Sequence, residues 1–69
     1  MIRFRDLSPE YQRIAERRQA SALRAALPSE HEEAIQRIAR TMAEEADYSE
    51  REIAMFARYA TRHEASAAP

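Results

Sequence analysis

Ser29-Glu30-His31-Glu32-Glu33-Ala34-Ile35-Gln36-Arg37-Ile38-Ala39-Arg40-Thr41-Met42-Ala43-Glu44-Glu45-Ala46 is the stretch that decides the fold. It opens with a serine followed three positions on by a glutamate, the form of a reciprocal capping box. Behind that opening, His31, Ile35, Ile38, Met42 and Ala46 recur at three- and four-residue intervals, so a helix places them on one stripe. Glu33, Arg37, Arg40 and Glu44 then face away. The pattern predicts an amphipathic helix over residues 30–46. His31, in the first turn of the stripe, is expected to be part-buried.

The same punctuation recurs on both sides. Ser8-Pro9 reads as an N-cap followed by proline in the first helical position. A first helix over 9–27 follows, and Pro28 disfavours helical geometry at Leu27. Ser49-Glu50-Arg51-Glu52 is a second capping box and opens a third helix over 50–64. Residues 65–69 are expected to fray. Residues 1–7 form a short arm in which Ile2, Arg3, Phe4, Arg5 and Asp6 alternate apolar and charged, a strand pattern. Such a strand needs a partner, either its own copy across a dimer axis or the body of the molecule with Ile2, Phe4 and Leu7 buried. The chain contains no glycine, which argues against tight hairpins. The reading is an all-α fold in one domain: a small bundle of about three helices with a short extended N-terminal arm.

With 69 residues and no cysteine, a disulfide cannot staple so small a core, and thiolate metal sites are excluded. Alanine supplies much of the apolar content. The large apolar side chains expected in the core or a dimer interface are Ile2, Phe4, Leu7, Ile35, Ile38, Met42, Ile53 and Phe56. That set is thin for a monomer, so a homodimer is expected. The formal net charge is −1, a mixed surface without an overall basic field for nucleic acid or membrane. No apolar run approaches a membrane span and the N-terminus lacks a signal-peptide core, which predicts a cytoplasmic protein.

Two helix faces carry more than a core requires. On the first helix, the apolar stripe of Tyr11, Ile14, Ala15, Ala22 and Ala26 is interrupted by Arg18 and Gln19. An arginine there must snorkel, pair with an acid or face a partner. Its other side lines up Arg13, Arg17 and Arg24, with Ala20 and Ser21 between. That side is either a solvated face with intrahelical pairs such as Arg13 with Glu16, or a basic stripe that docks an acidic surface. On the third helix, Ile53, Phe56, Ala57 and Ala60 make the core stripe. Met55 and Tyr59 form a second edge near Arg51, Arg58 and Arg62, a composition typical of binding hot spots. The candidate partner-binding residues are therefore Arg13, Arg17, Arg24, Met55, Arg58, Tyr59 and Arg62.

Catalytic machinery is not evident. Ser8, Ser29 and Ser49 are accounted for as caps. His31 and His63 lie on different helices, and His31-Glu32-Glu33-Ala34-Ile35 lacks the second histidine of a zinc-protease motif. No enzyme activity, cofactor or metal is expected. Residues 42–53, Met42-Ala43-Glu44-Glu45-Ala46-Asp47-Tyr48-Ser49-Glu50-Arg51-Glu52-Ile53, resemble the helix-turn-helix core of many bacterial regulators. Asp47 stands where glycine is usual, and Glu50 and Glu52 at the start of the second helix would repel phosphates. A small DNA-binding regulator is thus the alternative reading. In length, arginine-rich composition and short helical plan, the whole chain resembles the small anti-activator proteins of temperate Pseudomonas phages. That resemblance implies inhibition of a host quorum-sensing regulator, a LasR-like activator, and of the type IV pilus assembly ATPase PilB, in the host cytoplasm.

Overall fold

The computed structural model describes the backbone of residues 1–27 and 29–67, and side chains as far as Arg62 with that of Ser29 excepted. Pro28, the last two residues of the tail and the His63 side chain lie outside the described residues. The order is β1 (Ile2–Arg3), a 3-10 turn (Phe4–Asp6), α1 (Pro9–Ala26), a second 3-10 turn (Ser29–His31), α2 (Glu32–Glu45), β2 (Asp47–Tyr48) and α3 (Glu50–Ala67).

The caps explain most of these boundaries. The Ser8 hydroxyl accepts the Tyr11 N–H at 3.2 Å, and Pro9 occupies the first turn of α1. At α3 the capping box is reciprocal: the Glu52 N–H donates to Ser49 Oγ at 3.2 Å and the Ser49 N–H donates to Glu52 Oε1 at 3.1 Å. The box expected at 29–32 rests on the Ser29 side chain, which lies outside the described residues, but the helix does not start at residue 30 as expected. Residues 29–31 form a 3-10 turn instead, and α2 starts after His31, whose side chain makes no capping bond. The Glu32 carboxylate is taken by Arg24 and Gln36. α3 runs to Ala67, past the end expected at residue 64, through an alanine-rich stretch with high helix propensity.

The arm finds its partner within the chain. β1 pairs antiparallel with β2, Ile2 opposite Tyr48 and Arg3 opposite Asp47. After two residues it coils into the 3-10 turn that buries Phe4. Gln12 Nε2 fixes that turn to α1 by donating to the Phe4 and Leu7 carbonyls at 3.1 and 3.2 Å. The Tyr48 hydroxyl donates to the Ala43 carbonyl at 2.7 Å, satisfying one of the carbonyls that the end of α2 leaves without a helical partner. Burial holds the Tyr48 phenol above its ordinary pKa, and the nearby Glu52 carboxylate adds to the shift.

The main core gathers Phe4, Leu7, Ile14, Ala15, Ala43, Tyr48, Phe56 and Ala60, with Ile2, Tyr11, Ala46 and Ile53 against it. A smaller cluster of Ala20, Ile35 and Ala39, flanked by Leu23, joins α1 to α2. α2 therefore buries Ile35, Ala39 and Ala43. This corrects the stripe expected for it: Ile38 and Met42 are 43% and 40% exposed, and His31 is exposed as well. The reason is close approach. Small side chains on both α1 and α2 bring the backbones together, and the larger Ile38 and Met42 are left on the flank. On α1, Ala22 and Ala26 are exposed while Ala20 is buried, so the helix is rotated from the stripe its larger residues suggest.

α1 packs on both α2 and α3, whereas α2 and α3 touch one another at most marginally. The Cα trace measures 35 × 31 × 17 Å, so the molecule is a slab whose short dimension fits about two helix layers. Close packing at Ala43, with no exposed surface, generates a stability prediction. Ala43→Leu should lower unfolding free energy by ~1–3 kcal/mol in urea titration, because an added isobutyl group has nowhere to go. An unchanged midpoint would contradict the packing described.

Candidate protein-docking cleft

Because α2 and α3 both pack on α1 but barely on one another, the face of α1 between them is left partly open. Arg13, Arg17 and Arg24 lie along this floor with Ala20 and Ser21. Gln36 and Ala39 of α2 and Tyr59 of α3 complete a groove of about 530 Å³. A second groove of about 340 Å³ shares Arg17, Ser21 and Tyr59 with the first and adds Met55. Four of the seven residues proposed from sequence, Arg13, Arg17, Arg24 and Tyr59, thus line one groove, and Met55 lines the one beside it. Arg58 and Arg62 are exposed on the outer side of α3 and line neither groove. Gln36 and Ala39 were not legible as site residues, since only the angle between α2 and α3 makes them part of a wall.

The electrostatics of the floor are uneven. Arg24 is already engaged: its Nε donates to Glu32 Oε2 at 3.0 Å, its Nη2 donates to Oε1, and Gln36 Nε2 donates to the same Oε1 at 3.1 Å. Glu16, at the groove edge, is held by Arg40 at 3.2 Å, rather than by Arg13 as the α1 sequence suggested. Among the described residues, Arg13 and Arg17 have no ion-pair partner. Glu10 lies near Arg13 and Arg17 in a smaller groove at one end. The middle of the cleft thus presents two available guanidinium groups over small side chains, with a tyrosine ring and a thioether on one wall.

Arg18, the anomaly in the α1 stripe, is explained on the other flank. Its guanidinium carbon sits 5.5 Å from the centroid of the Phe56 ring, and Nη1 is 3.9 Å from Glu52 Oε2. It covers the core and steadies the α3 cap, while its half-exposed side chain also borders the second groove.

Among the described residues, no group of three or more His, Cys, Asp or Glu side chains is arranged to hold a metal ion. No described helix is long and apolar enough to cross a membrane. The helix-turn-helix-like segment at 42–53 is the end of α2, β2 and the start of α3, with its turn tied into the strand pair. No known family model matches this chain, and no curated protein or solved structure matches it.

The Arg24–Glu32 pair carries a pH signature. Hydrogen bonds from Arg24, then from Gln36, lower the Glu32 pKa from 4.5 to about 2. A carboxylate whose folded pKa is depressed stabilises the fold above its unfolded pKa, and that contribution is lost as pH falls through the folded value. Both side chains are about half exposed, so salt should weaken the effect. In chemical denaturation, the stability difference between the natural chain and Glu32→Gln should narrow steadily from about pH 5 toward pH 2. Parallel pH curves for the two proteins would refute this account of the pair.

Proposed function

We propose that this chain is a protein-binding inhibitor with no chemistry of its own, of the kind to which its size and arginine-rich helical plan are similar. It occupies the surface of a host quorum-sensing activator, and in the same manner that of the type IV pilus assembly ATPase, and keeps each from its normal target. The observation that carries the reading is the convergence of Arg13, Arg17 and Tyr59 on one open groove, with Met55 in the groove that adjoins it across Arg17 and Tyr59. Arginine, tyrosine and methionine are the side chains enriched where proteins dock, because each offers large contact area with a directional or polarisable end. Duplex DNA fits less well. Glu50 and Glu52 sit in the first turn of α3, where a recognition helix would meet phosphates.

The inhibitor acts as a homodimer in this reading. Of the three large apolar side chains on α2, only Ile35 is buried, and Ile38 and Met42 share an exposed flank one turn apart. Arg37 and Glu45 border that flank, both exposed and, among the described residues, without ion-pair partners. With a two-fold axis between Ile38 and Met42, each Ile38 meets the other copy's Met42. Arg37 then comes within ~3 Å, along the helix axis, of the second copy's Glu45.

Two measurements test the proposal. The tagged chain should co-elute with purified LasR-type activator and silence its promoter in a reporter strain. Tyr59→Ala should weaken that binding by ~2 kcal/mol, roughly thirtyfold in Kd. Failure of the folded chain to co-elute with either the activator or the pilus ATPase would end the inhibitor reading. Sedimentation velocity should give the mass of two chains, and that of one for Ile38→Glu combined with Met42→Glu. A natural chain that sediments as a monomer at high micromolar concentration would end the dimer reading alone.

A further inference from the structure

The cleft has a floor with the length and residue spacing of a vacant helix position. Along its floor Arg13, Arg17, Ala20 and Arg24 advance by four, three and four residues, the seam spacing of a helix with another helix packed alongside. From Arg13 to Arg24 the floor is ~17 Å long at 1.5 Å per residue, three helical turns. Its middle is small: Ser21 is exposed there, and Ala20 and Ala39, which border it, are already packed together between α1 and α2 and project little into the groove. Small residues at the seam let a second backbone approach to helix-packing distance. On the other wall, Met55 and Tyr59 supply apolar surface for a ridge of aliphatic side chains.

An extended segment is the poorer occupant. It would bring unpaired backbone groups, and the wall and floor here are helix faces with no strand edge to receive them. A helix satisfies its own backbone. Its charge is set by Arg13 and Arg17, four residues apart and without ion-pair partners among the described residues. Arg24 and Glu16, at the edges, are already paired with Glu32 and Arg40.

We infer that the cleft between α2 and α3 receives an amphipathic helix of the partner protein, its apolar ridge over Ala20 and Ser21 and a pair of carboxylates, one turn apart, on Arg13 and Arg17. This rests on the protein-binding reading above and names what the partner must present. The occupant adds a third helical neighbour to α1, on the face that Arg13, Arg17 and Arg24 share.

The probe is a fluorescein-labelled, end-capped synthetic peptide of leucine, alanine and glutamate, patterned as an amphipathic helix of about three to four turns. Two controls accompany it, one of the same composition shuffled to destroy the period and one with lysine replacing every glutamate. Fluorescence anisotropy with the full chain should show the patterned acidic peptide binding at least ~10-fold tighter than either control. Arg13→Glu combined with Arg17→Glu should cost about tenfold or more through lost charge pairing. Ser21→Trp, which fills the floor and leaves its charge unchanged, should cost a similar factor. Circular dichroism checks that each variant is folded. If a variant is not, amide shift mapping on the natural chain decides: the peptide must perturb Ser21, Gln36 and Tyr59 and leave β1 unmoved. Absence of binding, equal binding of the shuffled peptide, or full binding by folded Ser21→Trp would each overturn the inference. Activator capture is measured beside it on the same variants. Capture that survives Ser21→Trp while peptide binding is lost removes the cleft from partner docking and leaves the inhibitor reading standing. Peptide binding without activator capture does the reverse.

Discussion

The Phe56 ring is the point on which the rest of the structure depends. It is essentially buried. Tyr11 of α1 and Tyr48 of β2 meet it edge-on, at centroid distances of 6.1 and 5.7 Å, and the Arg18 guanidinium lies over it. Burying a phenylalanine contributes ~1.5–3 kcal/mol, and each edge-to-face pair adds about 0.5–1.5. The exposed ion pairs of the surface are each worth at most ~1 kcal/mol. The aromatic cluster therefore decides where α3 sits, and the ion pairs only trim it. Since Tyr48 also bonds the end of α2 and its strand holds the arm, every element except the middle of α2 is tied to this one ring.

The cleft is a consequence. α3 is fixed near the start of α1 through Phe56, Ala60, Tyr11 and Ile14. α2 is fixed farther along α1 through Ala20, Ile35, Ala39 and Leu23. The two anchors lie at different heights on α1 and on different sides of it, so α2 and α3 spread apart above Arg13, Arg17 and Ser21. Among the described residues, Ala20, Ser21 and Ala39 in the middle of the gap are too small to close it, and the arginines that border it extend toward solvent.

How far the fold was legible follows from the range of each interaction. The capping box at Ser49 and the proline-led start at Ser8 could be read from sequence because both partners lie within one turn. The same pattern at residues 29–32 sets the helix two residues too early, since the backbone first makes a 3-10 turn there and the Glu32 carboxylate is bonded by Arg24 of the preceding helix, a contact that no local spacing reveals. The alternation of residues 2–6 signalled extended backbone correctly for Ile2 and Arg3 only, since Phe4–Asp6 coil into a 3-10 turn that buries Phe4. Its partner, Asp47–Tyr48, lies beyond two helices and is too short to leave a periodic trace. α2 shows the subtler failure. Weighting the stripe by side-chain size selects Ile38 and Met42, whereas close packing against α1 selects Ala39 and Ala43. Arg13 and Arg17 were legible as a stripe and Met55 with Tyr59 as a surplus edge. Their meeting at one place depended on the Phe56 anchor, which periodicity does not encode.

The sparse core and the open cleft have a common thermodynamic consequence. A chain of this size, with alanine at many core positions and no covalent staple, keeps little stability in reserve. Arg13 and Arg17, one turn apart and without ion-pair partners among the described residues, add a modest repulsive cost. Covering that face with a complementary helix would bury apolar surface of Met55 and Tyr59 and neutralise the charge in one step. A ligand that binds only the folded form stabilises it by RT ln(1 + [L]/Kd), about 2.7 kcal/mol at a hundredfold excess over Kd. For a domain whose whole margin is only a few kcal/mol, such a contribution is large. On the protein-binding reading, then, stability and recognition are drawn from the same surface. The side chains left out of the core are the ones that a partner would put to use.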